Sequence, residues 1–100
     1  YTVSYTLSLH DALPISLRHA PVDVEEARRM IASLKGFPLL SGARGSVSKD
    51  TEALAGMVSR VSLMALAEES LAELDINPVF VLDEGGGAVA VDAAAIRGPR

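Results

Sequence analysis

The stretch from residue 73 to residue 92 constrains the fold of this chain most. Apolar β-type residues between Ile76 and Leu82 predict one strand, and the run Ala-Val-Ala-Val at 88–91 predicts a second. Residues 83–86 can turn the chain between them, because glycine tolerates positive φ. The glycine run at 85–87 leads into a strand and not into a helix, so we interpret it as part of a hairpin turn and not as a phosphate-binding loop.

The length of the loop sets the register of this predicted hairpin. Phe80 faces Val89, and Asn77 faces Asp92. Directly opposed Cβ atoms lie roughly 4.5–5.5 Å apart on the same side of a sheet, and side chains alternate along each strand. The alternation predicts one apolar face that packs against the rest of the chain. Its members are Ile76, Phe80, Leu82, Val89 and Val91.

Oxygen-bearing side chains are expected to gather on the opposite face, at one end of the hairpin. They are Glu73, Asp75, Asn77 and Asp92. Mg²⁺ prefers oxygen ligands, usually one or two carboxylates together with waters and substrate phosphates. The spacing therefore fits a magnesium site, but a half-exposed hairpin with a solvated polar face explains the same spacing and is the commoner case.

Two amphipathic helices are predicted upstream of the hairpin. Asp23 and Glu26 form a capping box for a helix over about residues 23–34, and Asp50 caps a second helix over about residues 51–70. The order strand, helix, helix, strand, strand predicts an α+β fold with two helices packed on a small antiparallel sheet. The apolar stripes are Val24, Ala27, Met30, Ile31 and Leu34 in the first helix, and Leu54, Met57, Val58, Val61, Met64 and Ala65 in the second.

Length and composition exclude several classes of protein. The chain has 100 residues, which allows one small domain. Its net charge of −4 and the lack of a basic run argue against a nucleic-acid partner. Without cysteine there is neither a disulfide nor a thiolate metal site, which fits a cytoplasmic protein. No apolar run reaches transmembrane length and no signal peptide is recognisable, so we expect no membrane partner.

Both ends of the chain are expected to lie outside the domain. Residues 5–15 resemble a translated sequencing adapter, so we interpret residues 1–16 as an artefact and assign no role to the His10–Asp11 pair. On this interpretation the native polypeptide begins upstream of Leu17 and is longer than the sequence in hand. The alternative is a natural strand, since Tyr, Thr and Val favour strands. Residues 94–100 are expected to form an irregular tail, because Gly-Pro near its end discourages regular structure.

Three motifs within residues 17–93 carry a family resemblance. They are Glu-Leu-Asp-Ile-Asn-Pro-Val from residue 73, Ala-Val-Asp-Ala from residue 90, and Ser-Gly-Ala-Arg-Gly from residue 41. Together they resemble the C-terminal part of the ATP-grasp domain of NDP-forming acyl-CoA synthetases. This family includes the ADP-forming acetate–CoA ligases and is similar to the β subunit of succinyl-CoA synthetase.

The resemblance implies a set of site residues. Mg²⁺ and ATP are the implied cofactors, with Asn77 and Asp92 as metal ligands and Asp75 as a further candidate ligand. Arg44 lies between glycines that allow close backbone approach, and its guanidinium can bind a nucleotide phosphate or a carboxylate in bidentate fashion. The alternative for Arg44 is an ion pair that ties its own loop to a neighbouring acid. No catalytic residue is assigned.

The resemblance also implies a reaction for the whole enzyme, in which a carboxylic acid, CoA and ATP give acyl-CoA, ADP and phosphate. The implied partners are these three substrates and a CoA-binding domain or subunit. The isolated chain is expected to be inactive, because the CoA-binding domain, the phosphohistidine segment and the adenine-binding part would lie outside it. Two alternatives stay open: a regulatory synthetase-like segment of a multidomain acetyltransferase, and a non-catalytic α+β interaction module.

Overall fold

The computed structural model describes residues 2–6, 15–34 and 48–98, and within these ranges it has an α+β fold. The helices are α1 (Val24–Ala32) and α2 (Thr51–Ala67). The strands are β1 (Thr2–Thr6), β2 (Ile15–His19), β3 (Leu71–Ile76), β4 (Val79–Val81), β5 (Ala88–Ala90) and β6 (Ala93–Arg97). They form three antiparallel pairs, β1 with β2, β3 with β6 and β4 with β5. Neither of these helices has the length and apolar composition needed to cross a membrane.

Both helices begin where the sequence predicts. The Asp23 side chain accepts a hydrogen bond from the Glu26 N–H at 2.7 Å, and the Asp50 side chain accepts one from the Ala53 N–H at 3.0 Å. Each cap satisfies a backbone donor that has no partner inside the helix. The predicted N-terminal caps are therefore confirmed.

Two boundaries differ from the predictions. Helix α2 ends before residue 70, because Glu68 has an extended backbone with φ −104° and ψ 94°. Residues 93–97 form β6, so the expected irregular tail over 94–100 is wrong as far as residue 97. The cause is a partner distant in sequence, since β6 obtains its hydrogen bonds from β3. The Gly98 N–H then donates to the Ser70 carbonyl at 2.8 Å, next to the Leu71–Arg97 end of the β3–β6 pair.

The hydrophobic core lies between α1, α2 and one side of the β4–β5 hairpin. Val79 and Val81 are partly buried against it. Two predicted members of the helical stripes, Val24 and Met64, are instead exposed, at 36% and 46%. The cluster of buried core residues consists of Val22, Ala27, Met30, Ile31, Leu54, Ala55 and Val58.

The face of the hairpin that packs is the opposite of the predicted one. Val79 and Val81 contact the core, whereas Phe80 is 57% exposed and Val91 is 53% exposed. Leu82 and Val89 are exposed with them. Because both faces of this short hairpin are apolar, alternation along the strands cannot choose between them. The choice is made by the position of the helices.

A buried hydroxyl ties the turn before α1 to α2. Ser62 is fully buried, and its Oγ accepts a hydrogen bond from the Val22 N–H at 2.9 Å. The same hydroxyl donates to the Ser59 carbonyl at 2.7 Å. A backbone donor that would otherwise be buried without a partner is thereby satisfied. The contact fixes the start of α1 against the middle of α2.

Glu26 on α1 makes two charged contacts that predict a pH-dependent stability of the chain. Glu26 binds Arg18 Nε at 2.5 Å and Arg29 Nη2 at 2.6 Å. These hydrogen bonds, first from Arg18 and then from Arg29, hold the pKa of the Glu26 carboxyl below its ordinary value of 4.5. A lowered pKa in the folded state adds stability above the unfolded value, and this stability is lost as the pH falls through the folded value.

We therefore expect the urea midpoint of the chain to fall between about pH 5 and about pH 3, and to fall less steeply in Glu26→Gln. Urea titrations followed by circular dichroism at several pH values measure both slopes. Equal slopes in the unchanged chain and the variant would show that the Glu26 contacts do not contribute.

Candidate metal and nucleotide site

The β3–β6 and β4–β5 pairs follow each other in one antiparallel ribbon, and the predicted site lies where the hydrogen-bond ladder is interrupted between them. β4 pairs with β5, and β3 pairs with β6 in the same register from Ile76 back to Glu73, whereas the register shifts between Glu73 and Leu71. Phe80 lies opposite Val89, as predicted. Between the ladders, the Asn77 N–H donates to the Asp92 carbonyl at 3.0 Å. The predicted register is confirmed, including the placement of Asn77 opposite Asp92.

Pro78 accounts for the interruption. Proline has no backbone N–H, so a regular ladder of hydrogen bonds cannot run through it. Its carbonyl still accepts a hydrogen bond from the Val91 N–H at 2.9 Å, which keeps the two chains aligned. The sequence Asn-Pro therefore places Asn77 at this interruption of the ladder. We term the interruption, with Asn77 and Asp92 opposite each other, the joint of the ribbon.

The three predicted metal ligands have exposed side chains. Asp75 lies on β3 opposite Ala94, a residue with a small side chain. Asn77 and Asp92 lie opposite each other at the joint. The Oδ1 atom of Asp92 accepts a hydrogen bond from the N–H of Ala93 at 2.8 Å, which restricts the orientation of this carboxylate. A cation could therefore reach all three without displacing the core.

The expected gathering of three carboxylates is wrong. Among the residues that the structure describes, no group of three or more Asp, Glu, His or Cys side chains could hold a metal ion. Glu73 lies four positions before Asn77, and a strand rises about 3.3 Å per residue, so Glu73 is about 13 Å along the ribbon from Asn77 and Asp92. The joint itself presents one carboxylate and one carboxamide, from Asp92 and Asn77. The assignment of Asp75, Asn77 and Asp92 as ligands stays a prediction.

Arg44, the candidate nucleotide contact, lies outside the described residues. Its segment, from residue 35 to residue 47, connects the end of α1 to the start of α2. The role of Arg44 stays a prediction.

Sequence reasoning missed a segment that lies along the hairpin turn. The Asp50 N–H donates to the Leu82 carbonyl at 2.8 Å, and the Glu84 N–H donates to the Ser48 carbonyl at 2.9 Å. Residues 48–50, which we term the turn clip, thus join the start of α2 to the hairpin. The pattern of an acid before a helix indicates the cap, but no local signal places that cap beside a turn so distant in the sequence.

The ATP-grasp domain family matches residues 8–96 of the chain. The chain belongs to this family. The match begins inside the segment interpreted as adapter-derived, and in the structure β1 pairs with β2 within this N-terminal region. The adapter interpretation of residues 1–16 stays a prediction.

Curated relatives of this ATP-grasp chain are acid–CoA ligases. The ADP-forming acetate–CoA ligase II subunit beta of Pyrococcus furiosus is 42% identical over 83 residues, which are 82% of this chain and 35% of the relative. The ADP-forming 4-hydroxybutyrate–CoA ligase of Nitrosopumilus maritimus is 37% identical over 78 residues, which are 78% of this chain and 11% of the relative. The chain thus spans about a third of the β subunit and about a tenth of the longer ligase.

Solved structures of the ATP-grasp family have the same fold. A crystal structure of a Pyrococcus horikoshii protein matches with a TM-score of 0.80 and 35% identity, over 87% of this chain and 37% of that one. The dinucleotide forming acetyl-coenzyme A synthetase 1 of Ca. Korarchaeum cryptofilum matches with a TM-score of 0.79 and 34% identity, over 85% and 39%. That structure contains coenzyme A and Mg-AMPPCP. The resemblance to the ATP-grasp domain of NDP-forming acyl-CoA synthetases is confirmed.

Proposed function

We propose that this chain is part of an NDP-forming acid–CoA ligase and contributes ligands for a Mg²⁺–nucleotide complex. The observation that carries the proposal is the joint of the ribbon, where Asn77 and Asp92 lie opposite each other with exposed side chains. Support comes from the 42% identity to the β subunit of an acetate–CoA ligase. The proposed reaction converts a carboxylic acid, CoA and ATP into acyl-CoA, ADP and phosphate.

The charge of the pair suits a metal that is shared with phosphate. A divalent metal, when bound, neutralises charge on the β- and γ-phosphate oxygens during phosphoryl transfer. Asp92 supplies one negative charge and the Asn77 carboxamide supplies none, so the ion keeps positive charge for the phosphates. Mg²⁺ sites of this kind use one or two carboxylates and leave the remaining positions to water and phosphate. A site with three carboxylates would instead carry net negative charge and repel them.

Two further residues complete the proposed set. Asp75 is exposed on β3 beside the joint, where its carboxylate can bind the metal directly or through water. The Arg44 guanidinium would contact a phosphate of the nucleotide in bidentate fashion. Asn77 and Asp92 hold the metal, whereas Arg44 orients the phosphate.

The remaining parts of the reaction are assigned to partners outside this chain. The chain spans 35% of the Pyrococcus furiosus β subunit that it matches, and the Korarchaeum structure holds coenzyme A and a phosphohistidine segment in addition to the nucleotide. We therefore propose that a CoA-binding domain or subunit complements this chain.

The isolated chain is expected to form no acyl-CoA above background from ATP, Mg²⁺, acetate and CoA. The physical reason is that the groups that bind CoA and carry the phosphoryl group are proposed to lie in the complementing domain or subunit. Chromatographic detection of acetyl-CoA measures the outcome, with an active ADP-forming acetate–CoA ligase assayed in parallel. Acetyl-CoA formation by the purified chain would contradict the proposal that a separate domain or subunit supplies the CoA-binding part.

Binding of a divalent metal tests the proposed site directly. Mn²⁺ added to the ¹⁵N-labelled chain is expected to broaden the amide signals of Asn77 and Asp92 before the others. Asp92→Ala should abolish this selective broadening, because it removes the only full negative charge of the pair.

Glu84→Ala is the matched control, since it removes an exposed carboxylate from the same hairpin at its opposite end. This variant should keep the broadening at Asn77 and Asp92. Equal broadening of the amide signals of all acidic residues would show that no specific site exists.

A further inference from the structure

Asp50 uses its two carboxylate oxygens for two different purposes. Oδ1 accepts the Ala53 N–H at 3.0 Å and caps α2, whereas Oδ2 accepts the Gly87 N–H at 2.8 Å. Gly87 has a φ of 95°, a conformation that favours glycine. A single half-buried side chain therefore joins the helix to the end of the hairpin turn.

The other side-chain contact of the turn clip is weaker. Lys49 Nζ lies 2.8 Å from Asp83 Oδ1, but both side chains are substantially exposed. Exposed ion pairs contribute little, because water and salt screen them. A half-buried hydrogen bond to a charged carboxylate is stronger. Asp50 is thus the principal side-chain attachment between the turn and α2.

The ladder between the turn and the joint is short. β4 and β5 pair through three residues each, from Val81 opposite Ala88 to Val79 opposite Ala90. A two-stranded ribbon of this length is marginally stable in water, so its pairing depends on the geometry of the turn that joins the two strands. Only these three pairs separate the turn from Asn77 and Asp92. A restraint at the turn therefore acts on the geometry of the joint.

We propose that Asp50 is a positioning residue for the Asn77–Asp92 metal pair, acting by fixing the geometry of the hairpin turn against α2. This inference rests on the proposed function, since it requires a metal at the joint. Coupling between two sites is reciprocal. A metal bound at Asn77 and Asp92 therefore stabilises the hydrogen bond between Gly87 and Asp50, and the loss of that hydrogen bond weakens metal binding.

The test compares Asp50→Ser with Asp23→Ser in the 100-residue chain. Serine keeps a side-chain oxygen that can cap a helix, but its shorter side chain cannot also reach Gly87. Asp23→Ser makes the same replacement at the cap of α1, away from the ribbon. Mn²⁺ broadening at Asn77 and Asp92 gives the metal affinity of each variant, and amide hydrogen exchange of Gly87 is measured with and without Mg²⁺.

Asp50→Ser is expected to lower the Mn²⁺ affinity about five- to tenfold, at the lower end of couplings between sites, whereas Asp23→Ser leaves it unchanged. In the unchanged chain, Mg²⁺ should slow exchange of the Gly87 amide. This second measurement needs no variant, so it tests the coupling between the turn and the metal pair even if Asp50→Ser fails to fold.

Three outcomes would overturn the inference. Equal Mn²⁺ affinities of Asp50→Ser and the unchanged chain would show that Asp50 acts only as the cap of α2. Exchange of Gly87 that does not respond to Mg²⁺ would show that the turn and the joint are uncoupled. Absence of selective broadening in the unchanged chain would instead refute the metal site itself, and with it the proposed function, whatever Asp50 does.

Discussion

Leu54→Ala is expected to destabilise the chain by about 2–5 kcal/mol, a large part of the total stability of a domain of this size. Leu54 is fully buried in the cluster between α1, α2 and the β4–β5 hairpin. Its truncation removes apolar contacts and leaves a cavity that the surrounding side chains cannot fully close. Urea unfolding followed by far-ultraviolet circular dichroism measures the change in the free energy of unfolding.

Leu63→Ala is the control for this experiment. It removes the same atoms from the same helix, at a position that is 54% exposed. The expected loss is below about 0.5 kcal/mol, as for other surface substitutions. If both variants lost the same stability, the core would not lie where the structure puts it.

Asp92→Ala is expected to reduce acyl-CoA formation about 100-fold or more in a complete ligase that carries this segment. The substitution removes the proposed negatively charged metal ligand, while the backbone hydrogen bonds of the ribbon remain. The melting temperature should therefore change little, because the Asp92 side chain is exposed. Initial rates at saturating acetate and CoA, measured over a range of Mg²⁺–ATP concentrations, give the effect on kcat and KM.

Glu84→Ala in the same ligase serves as the matched control. It should keep its activity, because it removes an exposed carboxylate from the turn and not from the joint. Near-normal activity of Asp92→Ala would exclude this residue as a metal ligand. Loss of activity in both variants would point to a general dependence on the negative charge of the hairpin.

Local signals in the sequence predict the caps and the register well. Asp23 and Asp50 cap their helices because the bond from side chain to backbone spans only three residues. The register follows from the length of one loop, so Phe80 opposite Val89 could be derived without knowledge of the rest of the chain. Features of this kind depend on neighbours in the sequence.

Features that depend on distant partners could not be predicted in this way. Both faces of the β4–β5 hairpin are apolar, and only the position of the helices decides that Val79 and not Phe80 is packed. The local sequence does not predict strand β6, because its hydrogen bonds come from β3, which is distant in the chain. The contact between Asp50 and Gly87 joins residues far apart in the chain and has no pattern of its own.

The candidate site was predictable in part for the same reason. The register brings Asn77 opposite Asp92, and the structure confirms this placement. The predicted cluster of three acids is wrong, because Glu73 lies about 13 Å along the ribbon from Asn77 and Asp92. Arg44 belongs to a segment whose place relative to the ribbon the sequence alone does not give.

The exposed apolar side of the β4–β5 hairpin has a consequence for the architecture of the longer protein. Phe80, Leu82, Val89 and Val91 are between 42% and 57% exposed on the side that faces away from the helices. A sheet that is apolar on both sides is typical of a middle layer, covered from above and below. In a complete ligase the hairpin would then be sandwiched, with α1 and α2 as one outer layer and a further part of the protein as the other.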